Sequence, residues 1–266
     1  MENIIEGQNV VNDDVAYADA VYIAMEMGES IIACGGEVSR AEDTVTRICK
    51  AYGATAVDVG IIMSVAVLNV DFDGVSINSS RRVHEVATNN LGKLAKLNAL
   101  SRKICATKPS KEEFMREIQS VNKKSSIPLW QALLGAVLTG SGFAVFFGGD
   151  ITDALLAAVI ALPMTLLGIY LSKLKMNPIV AKFFVCFLGG ACAMAMPKLG
   201  ISCHPGMMMV GNIMAVVPGV LMTNSFRDLF SGDIMSGFFR LCTAVLDTVA
   251  IACGYAAAML LIGGAV

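Results

Sequence analysis

Polar and apolar residues change rhythm near residue 127. Before it, apolar positions recur at helical spacing or in short Val- and Ile-rich runs. After it they fuse into long blocks. Five blocks, 129–147, 151–171, 178–197, 204–223 and 241–263, approach the ~20 residues a helix needs to cross a bilayer. Trp130 opens the first, where an interfacial aromatic is expected. Three connections are short: FGGD ending at 150, SKLKMN ending at 177 and KLGISC ending at 203. The fourth, NSFRDLFSGDIMSGFFR ending at 240, is longer and polar.

The first half predicts an α+β domain over 15–125, preceded by a flexible N-terminus over 1–14. Val15, Ala18, Val21, Tyr22, Met25 and Ile32 suit one side of a helix that Gly35–Gly36 ends or kinks. Ser39-Arg-Ala-Glu42 reads as a capping box for a second helix. That helix has Val45, Ile48, Cys49 and Tyr52 on one face and Gly53 at its C-terminal cap. The Val-rich stretch from 56 to 80 predicts strands, and Asp73–Gly74 a hairpin turn. Leu91, Leu94, Leu97, Leu100 and Ile104 predict a further helix, and Ser110-Lys-Glu-Glu113 caps a short last one.

Composition places the chain in the membrane class. It is 55% hydrophobic and 16% charged, whereas soluble domains are nearer a quarter charged. Residues 1–80 carry thirteen acids and three bases, 81–128 four acids and eleven bases, and the rest five acids and six bases. The positive-inside rule then orients the spans. With the N-terminal domain in the cytoplasm, Lys173, Lys175, Lys182, Arg227 and Arg240 fall on the inner side and Lys198 on the outer. The acidic opening MENIIEGQNVVNDD lacks the features of a signal peptide. The fold expected is a mainly α-helical membrane protein: a cytosolic α+β domain, then a five-helix transmembrane bundle over 126–266. The location expected is the cell membrane, with the N-terminus cytoplasmic and the C-terminus extracytoplasmic. The bases of 81–128 suit anionic headgroups, and no nucleic-acid partner is expected.

Enzyme signatures do not appear. The sequence has no Gly-x-Ser-x-Gly elbow, no phosphate-binding Gly-x4-Gly-Lys-Ser/Thr and no His-Glu-x-x-His. Its two histidines, His84 and His204, fall on opposite sides of the membrane in this topology. The eight cysteines show no zinc spacing, so neither a cofactor nor a metal is expected. Cys203–His204 is only a weak metal signal. The polar residues of the apolar half point instead to a solute path. Pro163 and Pro218 each remove a backbone donor, releasing the carbonyls of Val159 and Met214. Such carbonyls belong against protein or a wet cavity, as in the broken helices of secondary transporters. Asn212, Pro218, Gly219, Asn224, Arg227 and Asp228 continue the same polar stretch. Asp247 lies inside the last span, as a coupling or substrate-binding group or as a partner of Arg240 seven residues earlier. Asp150 and Asp153 suit the N-terminus of the second span as caps. Small residues at Gly140/Ala144, Gly189/Ala193, Ala215/Gly219 and Gly254/Ala258 allow close helix contact.

Four stretches resemble the threonine/serine exporter family. They are GGEVSRAED ending at 43, SINSSRRV ending at 83, FGGD ending at 150, and VPGVLMTNSFRDLFSGD ending at 233 with SGFFRL ending at 241. The last is long and specific, and the resemblance runs from about 16 to 264. It implies a cytosolic domain, five spans, and a second membrane half that is fused in some members and separate in others, one of them implicated in succinate export. With the chain ending at Val266, a separate small multi-span subunit in a hetero-oligomer is implied. The function expected is a subunit of a secondary transporter that exports a threonine/serine-type amino acid or a dicarboxylate such as succinate, working in the lipid bilayer. The competing reading is a membrane-anchored enzyme or sensor using Gly36, Glu37, Arg40, Glu42 and Arg81 of the first domain.

Overall fold

A computed structural model describes residues 2–62, 65–83, 90–123 and 127–263; His84 lies outside the described residues. Among the described residues the chain forms ten α-helices and one three-stranded sheet. It divides into two compact units that do not follow chain order. One combines Met1–Ser126 with Val220–Leu241, the other Ile127–Gly219 with Cys242–Val266.

In the first unit, helices α1 (Glu2–Ala33) and α2 (Val38–Ala51) precede strands β1 (Ala56–Ile62), β2 (Val65–Phe72) and β3 (Val75–Arg82). Helices α3 (Leu91–Thr107) and α4 (Lys111–Lys123) follow. The strands pair antiparallel in the order β1-β2-β3. Asp73–Gly74 makes the β2–β3 turn, and Gly74 takes the positive φ, 86°, that the turn demands. Strand alternation sorts the faces: Ala66, Leu68, Val70 and Phe72 are buried, while Val65 and Val67 stay exposed. Helix α1 runs past the single apolar face expected of it. Ala20, Val21, Ile23, Ala24, Met25, Met27 and Ile31 are all buried, which is the pattern of a core helix rather than an amphipathic one. The helix also begins at Glu2, so it takes in the segment expected to be a flexible terminus.

Of the two predicted capping boxes, Ser110 behaves as expected: its hydroxyl accepts the Glu113 amide at 3.4 Å. Ser39 does not cap α2, because that helix starts earlier, at Val38, and Glu37 occupies its N-cap. Glu42 faces the sheet instead, accepting the Ile61 amide at 2.8 Å. That interaction was invisible to a local motif because its donor lies 19 residues away.

The second unit holds α5 (Leu129–Phe146), α6 (Ile151–Lys173), α7 (Pro178–Lys198), α8 (Pro205–Ile213) and most of α10 (Ile234–Ile262). Helices α5, α6, α7 and α10 are each long and apolar enough to cross a membrane. The block 204–223 is not one helix. Helix α8 stops at Ile213, and α9 begins at Gly219 and runs to Phe230. Between them the amides of Ala215, Val216 and Val217 turn back onto Asn212 and Ile213. Pro218 has no amide to give the Met214 carbonyl, so the helix cannot continue. Helix α6, by contrast, runs unbroken through Pro163.

Small residues set the helix contacts. A Cβ on Gly211 of α8 would collide with the Gly140 carbonyl oxygen and lie 2.9 Å from the Ala144 amide on α5. One on Gly189 of α7 would strike Met164 of α6, and one on Gly254 of α10 would lie 2.5 Å from the Phe183 carbonyl oxygen. Three of the four small-residue pairs are thus contact surfaces, where backbones approach closely enough for dispersion to hold apolar helices together. Around Gly219 of the fourth pair there is open space. Gly211→Leu should therefore separate α8 from α5. We expect the full chain in detergent to lose about 1–3 kcal/mol of stability through overpacking, read as a lower melting temperature. Gly219→Ala is the control that should not move it.

Candidate functional site

Two polar constellations stand out, one in each unit. The first gathers the motif residues of the two chain segments that make the N-terminal unit. Helix α1 ends in a turn in which Gly35 has φ 81° and Gly36 is packed against Ile31. A Cβ on Gly36 would lie 2.5 Å from Ile31 Cγ2 and 2.8 Å from its carbonyl oxygen. The backbone of this turn is therefore bare, and side chains from α9 and the start of α10 hold it. Asn224 Nδ2 donates to the Gly35 carbonyl at 2.9 Å, and Arg240 donates to the Gly36 carbonyl at 2.8 Å. Arg227 pairs with the Glu37 carboxylate. Asp228 accepts the Val38 amide, supplying the N-terminal cap that α2 lacks locally.

Asp228 is 1% exposed and lies 3.1 Å from Arg240 Nη1. Burial pushes its carboxyl above the usual aspartate range; Arg240 and the Val38 amide pull it down, and Asp233 and Glu37 push it up. Burial likewise raises Glu42, against the pull of the Ile61 amide and with a further push from Asp233. Arg240 is thus the partner of Asp228; Asp247, its other candidate partner, is engaged elsewhere.

The remaining candidates of the first unit do not converge with these. Arg81 pairs with Glu26 at 2.6 Å and Glu29 at 3.7 Å, and its guanidinium lies 4.6 Å from the Tyr22 ring centroid. Arg40 is exposed on α2. No nucleophile–base geometry forms around Glu37, Arg40, Glu42 and Arg81 among the described residues.

The second constellation is a cavity of about 640 Å³ inside the helical unit. Its walls come from α5, α6, the start of α7, and α8 with the turn after it. Most of the lining is small and apolar. The polar exceptions are Thr139, Thr165, Ser172, Lys182 and Asn212. Asn212, 3% exposed, donates its amide hydrogens to the carbonyls of Ala157 (3.2 Å) and Met208 (3.0 Å), tying α8 to α6. Thr139 and Thr165 donate their hydroxyls back to Gly135 and Ala161 within their own helices, at 2.7 and 2.8 Å. Ala215 and Val216 line the cavity just before the buried Pro218, so the helix break borders the cavity. Pro163 lies outside the lining, although Ala161, Met164 and Thr165 around it belong to it.

Lys182 is the residue that sequence reasoning undervalued. It sits five positions into α7 and pairs with Asp247 of α10. Counting it as an inner anchor hid it. The available signal was that an ionisable residue inside an apolar helix asks for a partner, and Asp247 asked the same question.

At the start of α6, the carboxylate of Asp153 is wholly buried. It accepts the Asp150 amide at 3.1 Å, the His204 amide at 2.7 Å and the His204 Nδ1 at 2.9 Å. The cap expected here is present, and it also fastens the start of α8. The donor atoms of Asp150, Asp153 and His204 lie within 4.8 Å of one another, but those of Asp153 are already spent on these bonds.

Comparison with known proteins bears on what such a chain does. Residues 22–262 match the model of the threonine/serine exporter family. The chain belongs to that family. A threonine/serine exporter of Corynebacterium glutamicum is 23% identical over 254 residues, covering 92% of this chain and 51% of that protein. The chain thus spans about half the length of this relative. A protein of Klebsiella aerogenes named as a probable succinate transporter subunit, YjjP, is 24% identical over 234 residues, covering 86% of this chain and 88% of its own. No solved structure matches the chain. Family membership and the four long apolar helices make it a multi-pass membrane protein of an exporter family.

The geometry of Asp228 yields a prediction. Arg240→Gln leaves the buried carboxylate without its cation, and breaking such a pair costs about 3–5 kcal/mol. Losing Arg240 also raises the carboxyl further. A raised acid binds its proton more tightly when folded, so the penalty is full above its folded pKa and fades as pH falls toward the unfolded value. The variant should unfold at lower temperature than the parent at neutral pH and recover part of the gap on acidification. Melting curves of the full chain across pH measure both.

Proposed function

We propose that this chain is one subunit of a secondary exporter of a small polar metabolite, and that the solute passes through the cavity of the helical unit. The observation that carries this reading is the cavity itself. It is large enough for an amino acid or a small dicarboxylate, mostly apolar with a few placed polar groups, and bordered by a broken helix. The solute class we favour is a threonine- or serine-type amino acid or a dicarboxylate such as succinate, in keeping with what the two relatives are named for. The half-length match to the Corynebacterium exporter and the word subunit in the Klebsiella relative's name support a second multi-span membrane protein as partner. The distribution of Lys and Arg supports a cytoplasmic N-terminus.

The enzyme or sensor reading draws no support from the first unit. Glu37, Glu42 and Arg81 are each engaged in contacts that hold its fold. Asn224, Arg227 and Asp228, expected on the solute path, join in gripping the Gly35–Val38 turn.

Filling the cavity tests the proposal. Ala136→Trp places an indole in it from α5. In proteoliposomes holding the full chain and a companion membrane half, counterflow of labelled threonine, serine and succinate should fall by about tenfold or more, with protein level unchanged. Unimpaired counterflow in that variant would sink the cavity as the path.

A further inference from the structure

We propose that Lys182 is the carboxylate anchor of the cavity and that Asp247 is its built-in competitor, which a solute carboxylate displaces on binding and which reclaims the ammonium on release. This rests on the reading that the cavity carries the solute.

The two charges are placed asymmetrically. Lys182 lines the cavity and its side chain is 26% exposed, whereas Asp247 does not line it and its side chain is 6% exposed. The cation faces the space and its counter-ion stands behind. Among the described lining residues Lys182 is the one that carries charge. An ammonium has three hydrogens to donate, and this one pairs with one carboxylate oxygen of Asp247. In a weakly screening apolar surround, that ammonium is the strongest attractor any anionic group in the cavity would meet. A solute carboxylate is chemically the same ligand as the Asp247 side chain, so the two compete for one site.

The arrangement meets both demands on a transporter. When the cavity is empty, Asp247 keeps a bare cation from standing in an apolar layer, which would be costly. When the solute is bound, Asp247 weakens its hold and so speeds departure. The cavity also offers acceptors for a second solute group. Thr139 and Thr165 have given their hydroxyl hydrogens to backbone carbonyls, which leaves their oxygens facing a donor such as an amino group. Recognition should therefore require a carboxylate, and a solute whose carboxylate is replaced by a carboxamide should be ignored.

The test uses the full chain with its companion membrane half in proteoliposomes, with labelled threonine and labelled succinate as probes. In the parent, threoninamide and succinamide should fail to compete with whichever probe exchanges. Asp247→Asn should lower the half-saturating concentration of that probe by about tenfold and slow its exchange, because the competitor is gone. Lys182→Gln combined with Asp247→Asn removes both charges and leaves no orphan. It should melt close to the parent, because no charge is left without its counter-ion, and lose exchange by about 100-fold. Three results would overturn the proposal: competition by the amides as strong as by the parent solutes, an unchanged or raised half-saturation in Asp247→Asn, or normal exchange in the double variant. Its failure is separable from that of the cavity reading. If Ala136→Trp blocks exchange while the double variant exchanges normally, the cavity stands and the anchor falls. If Ala136→Trp exchanges normally, the cavity reading itself falls.

Discussion

A buried carboxylate organises the N-terminal unit. Asp228 has almost no contact with solvent, so its charge must be met by protein. The Val38 amide meets it from the start of α2, and Arg240 meets it from the start of α10. Arg240 in turn reaches the Gly36 carbonyl, and Asn224 the Gly35 carbonyl. The turn between α1 and α2 presents bare backbone because Gly36 has no room for a side chain. Remove the carboxylate and the cap of α2, the placement of Arg240 and the grip on the turn lose their common point. The energetic logic is that of a buried polar network whose members depend on one another: removing one leaves the others without a counter-charge or donor.

The helical unit solves a different problem with different means. Apolar side chains do little to hold helices together in lipid, so backbones must approach closely. Gly140, Gly211 and Gly254 provide those approaches, and Gly189 makes room for the Met164 side chain. The same economy of side-chain volume leaves space among α5, α6, α7 and α8, and the cavity occupies it. Polar groups around that space are engaged by neighbours: Asn212 with two carbonyls, the threonines with their own helices, Lys182 with Asp247. Close packing and open space therefore both draw on small residues, at different positions of the same helices.

Much of this was legible from residue order alone, for reasons tied to range. The strands, the Asp73–Gly74 turn, the long apolar helices and the break at Pro218 are written in local periodicity and backbone chemistry, which act over a few residues. The contacts around Asp228 were not, because they join residues separated by about two hundred positions. The polar stretch 224–240 looked like a loop between spans because its amides and charges have no partners nearby in sequence. They were partners of GGEV all along. Glu42 was misjudged in the same way: a capping box is a local hypothesis, and the sheet made a better offer. Asp247 was visible as an intramembrane charge and Lys182 only as an inner anchor, and pairing them required knowing that α7 lies against α10.

The interleaving of the two units carries a consequence for how the chain is made. Arg240 lies 204 residues beyond the Gly36 carbonyl it binds. At ribosomal rates of about 5–20 residues per second, the turn waits about 10–40 s for that partner. Meanwhile α5, α6, α7 and α8 are synthesised and must find their own environment. The N-terminal unit is therefore among the first segments begun and among the last completed. Until Asp228 and Arg240 emerge, the nascent N-terminal unit therefore carries an uncapped α2 and an open glycine turn.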